Sequence, residues 1–207
     1  MTLKIWGRRN SINVQKVMWT VAELGLQAER IDAGMQHGVV NEPWFGARNP
    51  NRLVPTIDDD GLTLWESNVI VRYLAAKHGQ GTLMPDVLAA RATAEMWMDW
   101  QQNSVMPGLS PLFLGLIRTP PEKRDLPAIG AAAESVEAAM RILDQHLAGR
   151  SYMVADHLTV ADIPVGCCAY RWYALPIERP ELRHLRAWYE RLTSRPAFVA
   201  HVMLPLT

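Results

Sequence analysis

The apolar residues of this chain change their spacing once, near residues 79–86, and that change constrains the fold more than any other feature. Before it, short strand-like runs alternate with helical stripes; beyond it, only the helical spacing recurs. Leu3 to Trp6 reads as a strand, and Val14, Val17, Met18, Val21 and Ala22 follow at helix spacing, with Gly25 placed to end the helix. Residues 28–32 form a weaker second strand, and 33–52 an irregular stretch containing Gly34, Gly38, Pro43 and Pro50. Residues 54–58 and 62–65 flank Asp59-Asp60-Gly61, where Asp-Gly suits the positive φ angles of a tight hairpin. Val69, Ile70, Tyr73 and Leu74 mark a third stripe running to Gly79. Strand, helix, strand, loop, hairpin and helix in that order are sufficient for a small four-stranded mixed sheet.

The segment GQGTLMPD at 79–86 has the glycine and proline content of a linker, and residues 87–207 are helical in pattern. Met96, Trp97 and Trp100 lie on a helix that the sequence breaks at Met106-Pro107-Gly108. TPPEKRDLP at 119–127 reads as a loop, and Ile129, Ala132, Ala133, Val136, Met140, Leu143 and Leu147 as an amphipathic helix. Thr159 and Asp162 stand as N-cap and N3 of a capping box, with Leu158 and Ile163 as its hydrophobic staple. The expected organisation is an α/β domain over 1–78, a linker over 79–86 and an all-α domain over 87–207.

Lys plus Arg equals Asp plus Glu at 21 each, so net charge gives no reason to seek nucleic acid or an anionic membrane. The first residues, MTLKIWGRRN, hold no apolar h-region, and no stretch approaches the roughly 18 apolar residues of a membrane span. The expected location is the cytoplasm. Cys167 and Cys168 are adjacent, which excludes CxxC redox and zinc spacings; they read as buried thiols, a strained pair being the other option. No metal is expected.

Ser11 before the first helix, Asn49-Pro50, Val54-Pro55 and the run Trp65-Glu66-Ser67-Asn68-Val69-Ile70 with Tyr73-Leu74 keep a particular order and separation. With Thr159-x-x-Asp162, these residues resemble the glutathione transferase family, in its serine-type, bacterial-like form, across nearly the whole chain. The resemblance implies a thioredoxin-like half that grips glutathione as co-substrate, beside an all-helical half. It also implies a detoxifying transferase that forms a homodimer through its third and fourth helices and takes a small hydrophobic electrophile between the domains. It further implies a cis Val54-Pro55 bond, which would turn the Val54 N–H and C=O toward the ligand's cysteinyl backbone; without the family pattern a trans turn proline would be preferred.

Ser67, in the first turn of helix three, suits the γ-glutamyl carboxylate, since unpaired N–H groups and the positive dipole end meet there; simple capping is its other role. Glu66 suits the γ-glutamyl ammonium or supports the helix start. Arg52 is placed toward the glycyl carboxylate, and Gln36 and His37 lie in the loop that closes over the same end. Met106, Leu109 and Phe113 are candidates for the electrophile pocket, although a helix core would use the same residue types.

A free thiol ionises near pH 8.5, and lowering that by ~2 units takes ~2.7 kcal/mol, within reach of one charge-assisted hydrogen bond and a helix N-terminus. Ser11 is placed to donate that bond while also capping helix one, and the Asn13 amide can replace or assist it. The chain departs from other branches of the family at Trp6, where some have a tyrosine, and at Leu53, where a lysine is frequent. Positions 10–13 hold no cysteine, so a thiol-reductase mechanism lacks its nucleophile. The alternatives to a transferase are a catalytically silent ligand-binding or interaction protein of the same fold, and a glutathione-dependent peroxidase or isomerase.

Overall fold

The structure is a computed structural model that describes residues 3–207, so the first two residues of the expected 1–78 domain lie outside the described ones. β1 (Leu3–Trp6), α1 (Ile12–Glu23), β2 (Ala28–Ile31), α2 (Pro43–Arg48), β3 (Thr56–Asp59), β4 (Leu62–Trp65) and α3 (Ser67–His78) form the first unit. Its sheet has the order β2-β1-β3-β4, with β1 parallel to β2 and antiparallel to β3, and β3 antiparallel to β4. The crossover from β1 to β2 supplies α1, as parallel pairing requires a long return path.

Asp60 and Gly61 both adopt positive φ, 55° and 89°, the mirror-image turn whose twist matches that of the strands it joins. The Asp58 carboxylate accepts the Gly61 N–H at 3.2 Å. Ile5 faces Ile57 across β1 and β3, and with Leu3, Val17, Val21, Ile70 and Leu74 they make the buried core of this unit.

Residues 33–52 are more ordered than their glycines and prolines suggest. A 3-10 turn, Met35–His37, precedes α2, whose first residue is Pro43 and whose buried anchor is Phe45, packed with Trp6 and Ala33. Six residues with one apolar anchor are too short to show a period, which is why the sequence reads as irregular there.

The second unit is all helical. α4 (Leu88–Trp100) passes through a π turn at Gln101–Val105 into α5 (Met106–Phe113) and a second π turn at Leu114–Arg118, so Met106-Pro107-Gly108 does not interrupt the rod. Pro107 is in the opening turn of α5, and the carbonyl it would clash with, that of Asn103, lies in the wider π turn. α6 (Leu126–His146) is capped by Asp125, whose carboxylate accepts the Ala128 N–H at 3.0 Å. α7 (Asp162–Ala174), α8 (Arg183–Thr193) and α9 (Pro196–His201) complete it.

α7 is the central helix and carries the contact with α1. A Cβ on Gly166 would come within 2.9 Å of the Trp19 ring and 2.8 Å of Leu192, so glycine is what lets α1 approach. Cys167 and Cys168 are free and wholly buried on α7, and burial pushes both thiols up, away from the reactive thiolate.

Asp162 opens α7 and its carboxylate accepts four hydrogen bonds: from the N–H groups of Met153 (3.0 Å) and Thr159 (2.9 Å), the Thr159 hydroxyl (3.1 Å) and the Trp188 indole (2.9 Å). The N-cap of α7 is Ala161 and Asp162 its first residue, not Thr159 and N3 as expected, because the chain turns once between Thr159 and Asp162 before the helix starts; the bond from the Thr159 N–H to the acid, the acidic half of the expected box, is present. The Thr159 hydroxyl, however, is engaged with the acid as its donor, and the carboxylate extends its grip to two more distant segments.

Candidate functional site

The loop after β1 turns at Arg8, whose carbonyl accepts the Ser11 N–H at 3.2 Å, and Ser11 becomes the N-cap of α1 with extended backbone angles. Its hydroxyl makes no capping bond, and the residue is 6% exposed, opening onto a cleft between the two units. Asn13, two residues on, accepts the Ser67 hydroxyl on its side-chain carbonyl at 3.3 Å, which turns its Nδ2 away from Ser67.

Val54-Pro55 is cis, as the resemblance implies. The sheet register on this side begins at Thr56, paired with Trp6 and Trp65, so the N–H and C=O of Val54 stay outside the ladder, and Val54 is one of the residues that border the cleft. Asn49 holds the approach to this turn: its amide donates to the Leu53 carbonyl and the Thr56 hydroxyl, each at 2.9 Å. Glu66 is the N-cap of α3 with φ 71° and ψ 111°, a conformation that costs a non-glycine residue about 1–3 kcal/mol and is concentrated at ligand sites. After that turn the Ser67 side chain meets Asn13 and Lys16 of α1, and the first N–H groups of α3 are left without partners inside the helix.

Arg52, also at positive φ (54°), donates to the carbonyls of Val40 (3.0 Å) and Glu42 (3.4 Å), which fixes its guanidinium against the loop before α2. It borders a cavity of about 370 Å³ together with Ser11, Asn13, Val54 and Arg8. Gln36 and His37 are exposed in the 3-10 turn, bonded to each other at 3.1 Å, and border neither this cavity nor its neighbour. Beyond Ser11 the cleft continues into a second cavity of about 180 Å³, bordered by Met106 and Phe113. Leu109 is fully buried in the helical core and borders neither, so of its two possible roles it fills the packing one. A larger hollow of about 470 Å³ elsewhere is bordered by Glu23 and Arg195, which already pair at 2.6 Å.

Four cations at the cleft escape a reading by motif. Lys16 of α1 is wholly buried, and its ammonium donates to the side-chain oxygens of Ser67 (3.4 Å), Asn68 (3.4 Å) and Gln101 (3.1 Å). Burial lowers its pKa, opposed by the attraction of the Cys168, Cys167 and Glu66 groups. A lysine between Val14 and Val17 on the apolar face was the available signal. Arg8, Arg118 and Arg171 border the smaller cavity, and sequence spacing carries no sign of their meeting. Among the described residues no group of three or more His, Cys, Asp or Glu side chains is arranged to hold a metal ion.

A sheet-and-helix unit with a cis proline at its edge and a strained turn opening α3, docked on a helical unit, defines the class. Residues 1–76 match the family described as glutathione S-transferase, N-terminal domain, and residues 105–196 the glutathione S-transferase, C-terminal domain. The chain belongs to the glutathione S-transferase family. It is 42% identical over 207 residues to glutathione S-transferase GstB of Escherichia coli K12, covering 99% of this chain and 100% of that one. It is 31% identical to glutathione S-transferase 3 of Zea mays, over 98% of this chain and 96% of the relative. The crystal structure of a theta class glutathione S-transferase from Xanthomonas axonopodis pv. citri, with glutathione bound, superposes with a TM-score of 0.96 at 43% identity, covering 100% and 99% of the two chains.

Proposed function

We propose that this protein is a glutathione transferase that ionises the glutathione thiol at Ser11 and directs it at an electrophile held between the two units. The observation that carries the reading is the Ser11 hydroxyl, which makes no capping bond and stands where the cavity beside the unpaired backbone of Val54 meets the cavity beside Phe113. In this reading the cysteinyl backbone of glutathione pairs with Val54 next to Pro55. Its γ-glutamyl carboxylate sits on Ser67 and the first turn of α3, near Glu66, and Arg52 faces the glycyl end. Gln36 and His37 serve as the outer edge of that end, and Asn13 as the secondary donor. The glutathione bound in the Xanthomonas axonopodis pv. citri relative supports the choice of co-substrate.

A homodimer through α3 and α4 belongs to the same reading, supported by exposed Val69 on α3 and Met96 on α4. A cytoplasmic setting also belongs to it; among the described residues no helix is long and apolar enough to cross a membrane.

The test is the ultraviolet thiolate absorbance of bound glutathione against pH. A hydroxyl-to-thiolate bond of about 1.5–3 kcal/mol corresponds to a thiol pKa about 1–2 units lower, so Ser11→Ala should raise the titration by that amount and leave affinity within a few fold. An unchanged titration would transfer the role to Asn13.

A further inference from the structure

The smaller cavity is bordered by three guanidiniums, those of Arg8 in the loop after β1, Arg118 at the end of the second π turn and Arg171 of α7. None of the three is in an ion pair with an Asp or Glu side chain among the described residues. Elsewhere among the described residues, Arg195 holds Glu23, Arg30 holds Asp32 and Arg72 holds Asp99, while partly buried Arg124 and Arg179 stand singly and donate to backbone carbonyls.

Their donors are largely unspent. Arg171 is only 6% exposed, donates once, weakly, to the Asn10 carbonyl at 3.4 Å, and leaves its buried Nε without a partner. The buried Nε of Arg8 is equally unpaired, and Arg118 donates at 3.2 Å to a terminal carboxylate oxygen of Thr207, the last residue, through one of its nitrogens. Phe113 supports two of them, with Arg171 4.0 Å and Arg118 5.2 Å from its ring centroid. Burial followed by the repulsion of Arg118 lowers the pKa of Arg8, and burial brings Arg171 down to about 10, with Arg118 and Arg8 adding to the effect. Arginine side chains carry their charge at neutral pH. Three like charges meet at one cavity, Arg171 buried and Arg8 and Arg118 half-buried, and the Thr207 carboxylate offsets one of them; a further anion is needed to neutralise the rest.

We infer that the cavity formed by Arg8, Arg118, Arg171 and Phe113 binds the carboxylate or comparable small anion of an acidic electrophile, the second substrate of the transferase. This rests on the proposed function, and it replaces the purely hydrophobic electrophile expected from the sequence with an amphipathic one: an apolar body toward Met106 and Phe113, an anionic end toward the guanidiniums. Glutathione itself is the competing occupant. Arg8 and Arg118 border both cavities, but Arg171, Phe113 and Met106 border only the smaller one, on the far side of Ser11 from Val54. A volume of about 180 Å³ suits a small molecule and excludes a polyanion.

The test compares 4-chloro-3-nitrobenzoate with its neutral near-isostere, 4-chloro-3-nitrobenzamide. In each the thiolate attacks the carbon bearing chlorine, a C–S bond forms, the C–Cl bond breaks, and chloride leaves with the bonding pair; the thiol proton passes to solvent. With each kcat/KM divided by the uncatalysed thiolate rate, the wild type should favour the acid by about tenfold or more, the effect of one charge-assisted hydrogen bond. Arg118→Gln, at a half-buried position, should abolish most of that preference, read as the acid-to-amide ratio within the one variant, so that any effect on glutathione common to both substrates cancels. Equal turnover of the two, or an equal loss for both in Arg118→Gln, would overturn the inference and leave the guanidiniums acting on the thiolate alone. Calorimetry with the benzoate in the absence of glutathione separates the two levels. Benzoate binding no tighter than benzamide binding overturns the anion site, whereas benzoate bound but glutathione not bound overturns the transferase reading while the anion site stands.

Discussion

Replacing Lys16 by methionine tests the electrostatics of the glutathione grip without touching the ligand. The Lys16 ammonium lies 3.4 Å from the Ser67 hydroxyl oxygen and has three neutral oxygens as acceptors. A carboxylate bonded to Ser67 at a usual distance of about 2.7 Å would stand about 6 Å from that cation. With an effective dielectric of about 20, opposite unit charges at that range attract by about 3 kcal/mol, or roughly a hundredfold in affinity. Lys16→Met keeps the length and the apolar stem and removes the charge. Folding stability should change by little, because the relief of a desolvated ammonium offsets the acceptors it leaves behind.

Isothermal titration calorimetry with glutathione reads the loss. The same titration with γ-aminobutyryl-cysteinylglycine, which lacks the γ-glutamyl carboxylate, should show almost none. The pH dependence follows from the lowered folded pKa. Below the ordinary 10.5 and down to that lowered value the unfolded chain holds more protons than the folded one, so stability rises with pH across that interval, and the rise should be absent in Lys16→Met. Undiminished glutathione affinity in a folded Lys16→Met protein would refute the argument.

Two further substitutions probe the same framework. Ser67→Ala should weaken glutathione binding about tenfold by calorimetry, one charge-assisted hydrogen bond, and equal affinity would move the γ-glutamyl site away from α3. Asp162→Asn leaves one acceptor oxygen and an NH₂ group facing the Met153, Thr159 and Trp188 donors, so urea unfolding should show a loss of about 3–5 kcal/mol; a loss below 1 kcal/mol would mean those bonds contribute little.

Local chemistry made much of this protein legible in its sequence. The order of strands and helices, the Asp60-Gly61 turn and the change of period after Gly79 all follow from neighbours a few residues apart, and each is present in the structure. Ser11, Val54 and Ser67 could be singled out because a helix start or a proline marks each of them. Short α2 and the continuous rod through Pro107 could not, since one is too brief for a period and the other depends on a π turn that no residue type announces.

Tertiary structure alone decided which side chains share a space. Arg8, Arg118 and Arg171 come from three elements far apart in the chain, and Lys16 differs from an ordinary surface lysine only because α3 and the π turn at Gln101 close over it. Leu109 and Phe113, four residues apart on one helix, part company for the same reason: one is enclosed by packing, the other meets the cleft. Periodicity records which face of an element avoids water. What that face meets, and which charges are left without partners there, is set by the docking of one unit on the other.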